Sequence, residues 1–443
     1  MRPELRGKNV VVYGLGKSGL GAVRLLNREG ARVRVVDSKS PEEVRTALGD
    51  LKAEVGAPEV STLSSADLVV VSPGVPLSNP ELVAARQKGV PVWGEVELSY
   101  RFLASRSPAA KFVGITGTNG KSTTTALTGE LLRAAGQKVF VGGNLGTALS
   151  DAALSDEECN SYVVELSSFQ LEGIEKMRLH AAAFLNLQPD HIDRYPDMQA
   201  YAAAKARIWM NQVEGDVAIV NADDPAVMEA ALPARKILAF SLKNLQARAH
   251  KTADGFEMGD SKFVLRNKAL RGAHNVQNAM AAALLASHAG ADAASIQKGL
   301  DSYPGLPHRM EFVRTLNGVE WINDSKATNV DSSLVALAAF KEGVWLIAGG
   351  KGKGAPYTPM VEASKGRVRG VLTIGNDAKT IESAYRGVID VIPCENLRNA
   401  VSKARELAKS GDTVLLSPAC ASYDQFKNFE DRGEQFKAMV RAL

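Results

Sequence analysis

A chain of 443 residues, 45% hydrophobic and 23% charged, has the make-up of a globular protein and exceeds one core of ordinary size. Its 53 lysines and arginines against 49 acids leave a net charge of +4 with no basic block, which argues against nucleic acid as the main partner. Three scattered cysteines (Cys159, Cys394, Cys420) without a Cys-x-x-Cys pair indicate neither a disulfide framework nor a structural zinc site, and suit a reducing cytoplasm. Charged residues running straight into an apolar run at the start lead to no expectation of a secretory signal. No apolar stretch approaches the roughly 20 residues of a membrane helix, so no membrane insertion is expected.

The first block, residues 1–94, opens on the apolar run 9–13, predicted as a strand, followed by Gly14-Leu15-Gly16-Lys17-Ser18-Gly19 and a helical stretch. A second run, 31–36, ends at Asp37-Ser38-Lys39, and a third, 68–71, leads into Ser72-Pro73-Gly74. This is a βαβ pattern whose loops leave the carboxyl ends of strands, where open parallel sheets bind ligands. The glycine fingerprint followed by an acid suits a dinucleotide, and so a nicotinamide-dependent oxidoreductase. Equally, it suits any phosphate brought to a helix N-terminus.

The second block, 95–305, carries an apolar run, then Gly114-Ile-Thr-Gly117-Thr118-Asn119-Gly120-Lys121-Ser122-Thr123, with a helix predicted from Lys121. Such a loop holds a nucleoside triphosphate: backbone N–H groups cradle the phosphates, Lys121 supplies a charge and Ser122 a hydroxyl for Mg²⁺. Gly114 and Gly120 are separated by five residues, one more than in the usual P-loop. The alternative is a plain glycine-rich turn from strand to helix.

Strands are predicted at 161–166, 181–187 and 216–221. Glu165 ends the first of these, where an acid can hold magnesium or cap a following helix. His191 lies in Pro-Asp-His-Ile-Asp just past the second, as metal ligand or as structural histidine. Within a helical stretch predicted over 199–213, Lys205 follows Tyr201 by four residues and precedes Ile208 and Trp209 by three and four. That places it on the apolar face. It can snorkel past the stripe, or lie buried as a neutral amine able to take up CO₂ as a carbamate. Asn275 and Asn278 precede an alanine-rich helix and can read an adenine edge or cap that helix.

The third block, 306–443, has predicted strands at 319–323, 344–348, 371–374 and 413–416. They empty into Asp324-Ser-Lys326-Ala-Thr328-Asn329, Gly349-Gly-Lys351-Gly-Lys353-Gly354, Gly375-Asn376 and Ser417–Ser422. Arg309, after a Pro-Gly turn, can stack on a base, reach a phosphate or stand in solvent. Asp324 can accept a ribose hydroxyl, and the lysines gather charge where an anion would be held.

The segments 114–123, Gly142-Gly-Asn144, Glu165-Leu-Ser-Ser-Phe-Gln170, Asp190–Tyr195 and His274-Asn275 together resemble the Mur ligases, ATP-dependent amino-acid-adding enzymes of peptidoglycan synthesis. Leu306-Pro-His-Arg309, 321–329 and Ser417-Pro-Ala-Cys-Ala-Ser-Tyr423 through Phe429 are similar to the branch that adds D-glutamate. Lys39 stands where that branch commonly has arginine, and Tyr423 where it has leucine.

The resemblance implies three α/β domains: a Rossmann-like UDP-binding domain, a central P-loop-like ATPase with a mostly parallel sheet, and a Rossmann-like amino-acid domain. It implies a monomer taking UDP-N-acetylmuramoyl-L-alanine, D-glutamate and ATP, with Mg²⁺ (or Mn²⁺) at two sites. Ser122 and Glu165 would hold one ion; His191 and Lys205, as its carbamate, the other. Lys121 would neutralise the transferring phosphoryl group within the loop 117–123. Asn275, Asn278, Arg309 and Asp324 would serve the adenosine. Gly14–Ser18, Asp37–Lys39, Ser72–Gly74 and Asn144 would take the UDP-substrate. Thr328, Lys353, Ser422 and Phe429 would clamp D-glutamate.

Overall fold

The computed structural model describes residues 2–144, 146–190 and 194–443. Three sheets form from the three blocks. The first contains β1 (Asn9–Tyr13), β2 (Arg32–Val36), β3 (Glu54–Gly56), β4 (Leu68–Val71) and β5 (Val92–Gly94), all parallel, in the order β3-β2-β1-β4-β5. Its order reverses beside β1, so the Gly14 and Ser72 loops leave neighbouring strands at the carboxyl edge.

The second sheet runs through β6 (Lys111–Thr116), β7 (Val139–Gly143), β8 (Ser161–Glu165), β9 (Ala181–Phe184), β10 (Val217–Asn221), β11 (Ile237–Ser241), β12 (Ala249–Lys251), β13 (Gly255–Met258) and β14 (Ser261–Val264). Its order is β14-β13-β12-β11-β10-β9-β6-β8-β7, with β6 flanked by β8 and β9; only the pairs β12–β13 and β13–β14 are antiparallel.

Two sequence expectations end early. The strand predicted over 181–187 stops at Phe184: Leu185 N–H still bonds Thr116 of β6, but the Asn186 carbonyl accepts from the glycine loop and Leu187 N–H donates to the Asp224 carboxylate. The helix predicted over 199–213 is Met198–Ala206 followed by a 3₁₀ turn, Arg207–Trp209, which lets the Trp209 indole donate to the Ala182 carbonyl (3.0 Å).

The first and second sheets share a continuous core running from Val10, Val12 and Val35 to Phe112, Tyr162 and Phe184. The helix Glu95–Arg106 joins them. Its Glu97 is fully buried and accepts from the backbone N–H groups of Glu175, Lys176 and Met177 (2.9, 3.0 and 2.9 Å) and from Arg101 Nε (2.7 Å). Removing that carboxylate strands three backbone donors, the buried Met177 N–H among them, and the Arg101 guanidinium. Glu97→Ala is therefore expected to cost about 3–5 kcal/mol in urea unfolding; a loss below about 1 kcal/mol would contradict the assignment of Glu97 as the anchor.

The third sheet has β15 (Glu311–Leu316), β16 (Val319–Asn323), β17 (Val344–Gly349), β18 (Val368–Ile374), β19 (Val391–Glu395) and β20 (Thr413–Leu416), in the order β15-β16-β20-β17-β18-β19. Only β15 is antiparallel. The last strand in sequence thus lies between the first two parallel ones, bringing three motif-bearing loops side by side. By compactness the chain forms two units, Met1–Leu265 with Val276–Ser302, and Arg266–Asn275 with Tyr303–Leu443. In the second unit Lys268 Nζ and Arg271 Nη1 grip Glu320 (both 2.6 Å). Among the described residues no helix is long and apolar enough to cross a membrane.

Candidate active site

The glycine loop leaves β6, the strand between β8 and β9, and enters the helix Lys121–Ala134 through Gly120 in the left-handed region (φ +81°). Lys121 Nζ curls back to the carbonyls of Gly117 (3.0 Å) and Thr118 (2.8 Å). The helix start also carries Thr124, whose hydroxyl donates to the Asn278 side-chain oxygen (3.2 Å).

Two residues that the sequence motifs did not single out buttress this loop. Thr118 N–H donates to the Asn186 carbonyl (3.0 Å), and the Asn186 side chain exchanges bonds with the Asn119 backbone (2.8 and 3.0 Å). Gln188 N–H donates to the Thr118 hydroxyl (3.0 Å) and its side chain accepts from Asn119 (3.3 Å). Their only sequence signal is polarity just past a buried strand.

Glu165 sits at the end of β8, in register with Ile115 of β6. It is 2% exposed; Oε1 accepts from the Asn144 amide (2.7 Å), while Oε2 is buried and has no hydrogen-bond partner among the described residues. Helix capping is done by Ser167, with Gln170 completing the capping box, so Glu165 is not the cap. An unpaired buried carboxylate oxygen is costly unless something occupies it. Among the described residues no three His, Cys, Asp or Glu side chains gather as a metal cage. Magnesium needs none, since it is held by one or two carboxylates with phosphate and water.

Lys205 is 2% exposed and does not snorkel. Its Nζ donates to the Gly117 carbonyl (2.9 Å) and lies over the Tyr201 ring (4.6 Å). Burial, then the nearby Lys121 charge, lowers its pKa to about 7, against weaker opposition from Asp190 and Glu165. Periodicity placed Lys205 on the buried face; only the fold shows that its amine reaches the Gly117–Lys121 loop. His191 lies outside the described residues.

At the first sheet the helix Lys17–Arg28 begins at Gly16 without a side-chain cap. Asp37 accepts from the N–H groups of Leu15 (2.5 Å) and Lys39 (2.9 Å). Burial opposes its ionisation, yet these bonds and the Lys39 charge win and lower its pKa. Ser72 donates to the Gly14 carbonyl (2.6 Å), and Lys17 Nζ bonds the Gly146 carbonyl. Any Cβ on Gly19 would overlap that same Gly14 carbonyl. If this loop takes UDP, as the resemblance implies, Gly19→Ala is expected to weaken UDP binding at least about tenfold by calorimetry without loss of ATP binding, because backbone must shift in the loop. Unchanged UDP affinity would contradict the placement. Ser38, Pro73 and Gly74 lie on these same strand-end loops.

In the second unit, Asp324 is buried and both its oxygens are used, by Met310 N–H (3.1 Å) and the Ser417 hydroxyl (2.8 Å). Burial raises its pKa to about 6, opposed first by the Ser417 hydrogen bond and then by the Arg309 charge. Each Asp324 oxygen thus already accepts one bond from within its own unit. Asn275 donates to the Arg271 carbonyl (2.8 Å). The Lys353 amine reaches toward the Thr328 hydroxyl (3.5 Å), Ser422 is buried, and Phe429 opens the helix Phe429–Arg441. Below them the buried Arg432, another residue absent from the motif reading, bonds Ser325 and the Cys420 carbonyl.

Family models match three consecutive parts: "Mur ligase MurD-like, N-terminal domain" over 8–94, "Mur ligase middle domain" over 115–286 and "Mur ligase, glutamate ligase domain" over 308–420. The chain is 56% identical, over the full length of both proteins, to a UDP-N-acetylmuramoylalanine–D-glutamate ligase of Myxococcus xanthus. The chain belongs to the Mur ligase family. This Mur ligase is also 52% identical to the enzyme of the same name from Anaeromyxobacter dehalogenans, with 99% and 98% of the two chains covered. Its fold is shared with the UDP-N-acetylmuramate-alanine ligase of Thermotoga maritima (18% identity, 98% and 99% coverage, TM-score 0.60). A pseudomurein peptide ligase from Methanothermus fervidus is similar in the same way (18% identity, 98% and 100% coverage, TM-score 0.59).

Proposed function

We propose that this Mur ligase joins the amine of D-glutamate to the alanyl carboxylate of UDP-N-acetylmuramoyl-L-alanine at the expense of ATP. A carboxylate is unreactive toward amines in water, so it must first be activated. The γ-phosphoryl group passes to the alanyl carboxylate, giving an acyl phosphate and ADP. The D-glutamate amine then attacks the acyl carbon, the C–O bond to phosphate breaks, and the amine proton leaves to solvent. Positioning and charge neutralisation carry most of such a reaction.

The single observation that supports the ATP half best is the unpartnered Glu165 oxygen, on the strand beside the Lys121 loop. Lys121 would leave its loop carbonyls for the phosphoryl oxygens. Ser122 and Glu165 would hold one Mg²⁺, and His191 with Lys205 a second; Mn²⁺ could replace either. When bound, the metal supplies positive charge against the phosphoryl oxygens. Lys205 would serve as a carbamate, its neutral amine adding CO₂ and releasing one proton. A buried amine of lowered pKa at the Gly117 carbonyl supports that reading.

The first block, 1–94, would hold UDP at the Gly14, Asp37 and Ser72 loops, with Asn144 reaching the muramoyl-alanine end. The adenosine is assigned to Asn275, Asn278, Arg309 and Asp324. Blocks 95–305 and 306–443 would serve ATP and the amino acid, whose carboxylates Thr328, Lys353, Ser422 and the Phe429 backbone would clamp. One chain holds every assigned residue, so a cytoplasmic monomer suffices.

The test is phosphate release with each substrate omitted in turn. Release is expected only with all three present, and none when L-lysine, diaminopimelate or D-Ala-D-Ala replaces D-glutamate. Release indifferent to D-glutamate would overturn the proposal. The nicotinamide reading of the first glycine loop predicts NAD(H) binding in a fluorescence titration; none is expected.

A further inference from the structure

The loop after β17 carries Lys351 and Lys353, and its path is fixed from outside the loop. Lys351 makes an antiparallel bridge with Ala421 (2.8 and 3.0 Å), and the Gly350 carbonyl accepts from Asp377 N–H (2.9 Å). The Asp377 carboxylate lies directly against Gly352, so closely that any Cβ there would overlap it. That carboxylate is itself held: the Tyr357 hydroxyl donates to Oδ2 (2.7 Å).

Tyr357 is 5% exposed, and its oxygen also lies 3.0 Å from the sulfur of fully buried Cys420. With the hydroxyl proton given to Asp377, the thiol donates to the phenol oxygen. One buried hydroxyl thus ties together the start of the helix Thr358–Ser364, the residue just before the helix Ala378–Tyr385, and the segment that runs on to Ser422. A phenylalanine would fill the same space and leave the Asp377 oxygen without this donor, which is costly for a charged acceptor. Nothing in the assigned chemistry uses this hydroxyl.

We propose that Tyr357, acting through Asp377 and Cys420, is the positioning residue that keeps the Lys353 loop and the Ser422 segment in register for the two carboxylates of the incoming amino acid. The inference rests on the assignment of Lys353 and Ser422 to that amino acid. Because phosphoryl transfer is assigned to residues of the other compact unit, losing the hydroxyl acts on amino-acid capture and leaves carboxylate activation alone.

The test is steady-state kinetics of the full chain with the amino acid it uses in the omission assay. Tyr357→Phe is expected to raise KM for that amino acid about tenfold, the scale of one lost hydrogen bond to a charged group. kcat and the KM values for ATP and the UDP-substrate should stay within about twofold. Asp377→Ala should do the same, and the double variant should be no worse than either alone, since both break one link. Asp377→Asn keeps an acceptor for the phenol and should recover most of the affinity. An unchanged KM in Tyr357→Phe overturns the inference, as does an equal rise for all three substrates or an additive double variant. Lys353→Ala separates the two levels. If it leaves KM for the amino acid unchanged, the clamp assignment is wrong; if it raises KM and Tyr357→Phe does not, only the positioning role fails.

Discussion

Lys121→Ala is expected to reduce turnover by at least about 10²–10³-fold, the usual scale for removing one preorganised charge at a developing anion. Binding of the UDP-substrate should stay within about twofold, because its contacts are assigned to the Gly14, Asp37 and Ser72 loops. In the structure the ammonium is parked on the Gly117 and Thr118 carbonyls, which keeps it at the loop until phosphate oxygens compete for it. Lys121→Arg should not restore activity: a planar guanidinium presents a fixed fork where a compact, rotatable charge is needed. Phosphate release in the full reaction checks both variants. Turnover within tenfold of the native chain in Lys121→Ala would sink the assignment of this loop to the transferring phosphoryl group.

Lys205→Ala is expected to lose a comparable share of activity, and short carboxylic acids such as acetate or propionate should partly restore it by supplying the missing oxygen ligand. Full activity in the variant would dispose of any role for Lys205. Inactivity without rescue would favour the uncharged amine acting only as a donor to Gly117. The pH dependence follows from the lowered pKa of about 7. Carbamate forms from the neutral amine, about half the population at pH 7, against well under a hundredth for an ordinary lysine. At fixed dissolved CO₂, reactivation of CO₂-depleted protein should therefore slow about fivefold from pH 7 to pH 6 and approach tenfold per unit below that. Measured between pH 5.5 and 7, a flat profile would contradict the carbamate.

Much of this site was legible in the chain because its parts are contiguous. A phosphate cradle needs successive backbone N–H groups, so Gly117–Ser122 and Gly14–Gly19 announce themselves as short motifs. Lys205 was half legible: its spacing from Tyr201, Ile208 and Trp209 put it on a buried face, yet no spacing shows that its amine ends at the Gly117 carbonyl. Asn186 and Gln188 were not legible, since their work is done across a strand boundary on a loop some 70 residues earlier. Nor did the strand-end position of Asp324 show that Met310 and Ser417 each donate to one of its oxygens.

By itself the sequence determined the three α/β blocks and the family to which the motifs point. Periodicity and local turn chemistry are properties of short stretches, and those suffice for such readings. What the tertiary structure decided is adjacency. The insertion of β20 between β16 and β17 brings the Asp324, Gly349 and Ser417 loops together, and β6 between β8 and β9 sets Glu165 and Asn186 beside Lys121. Strand order is fixed by long-range pairing and by burial of both sheet faces, which no local pattern encodes.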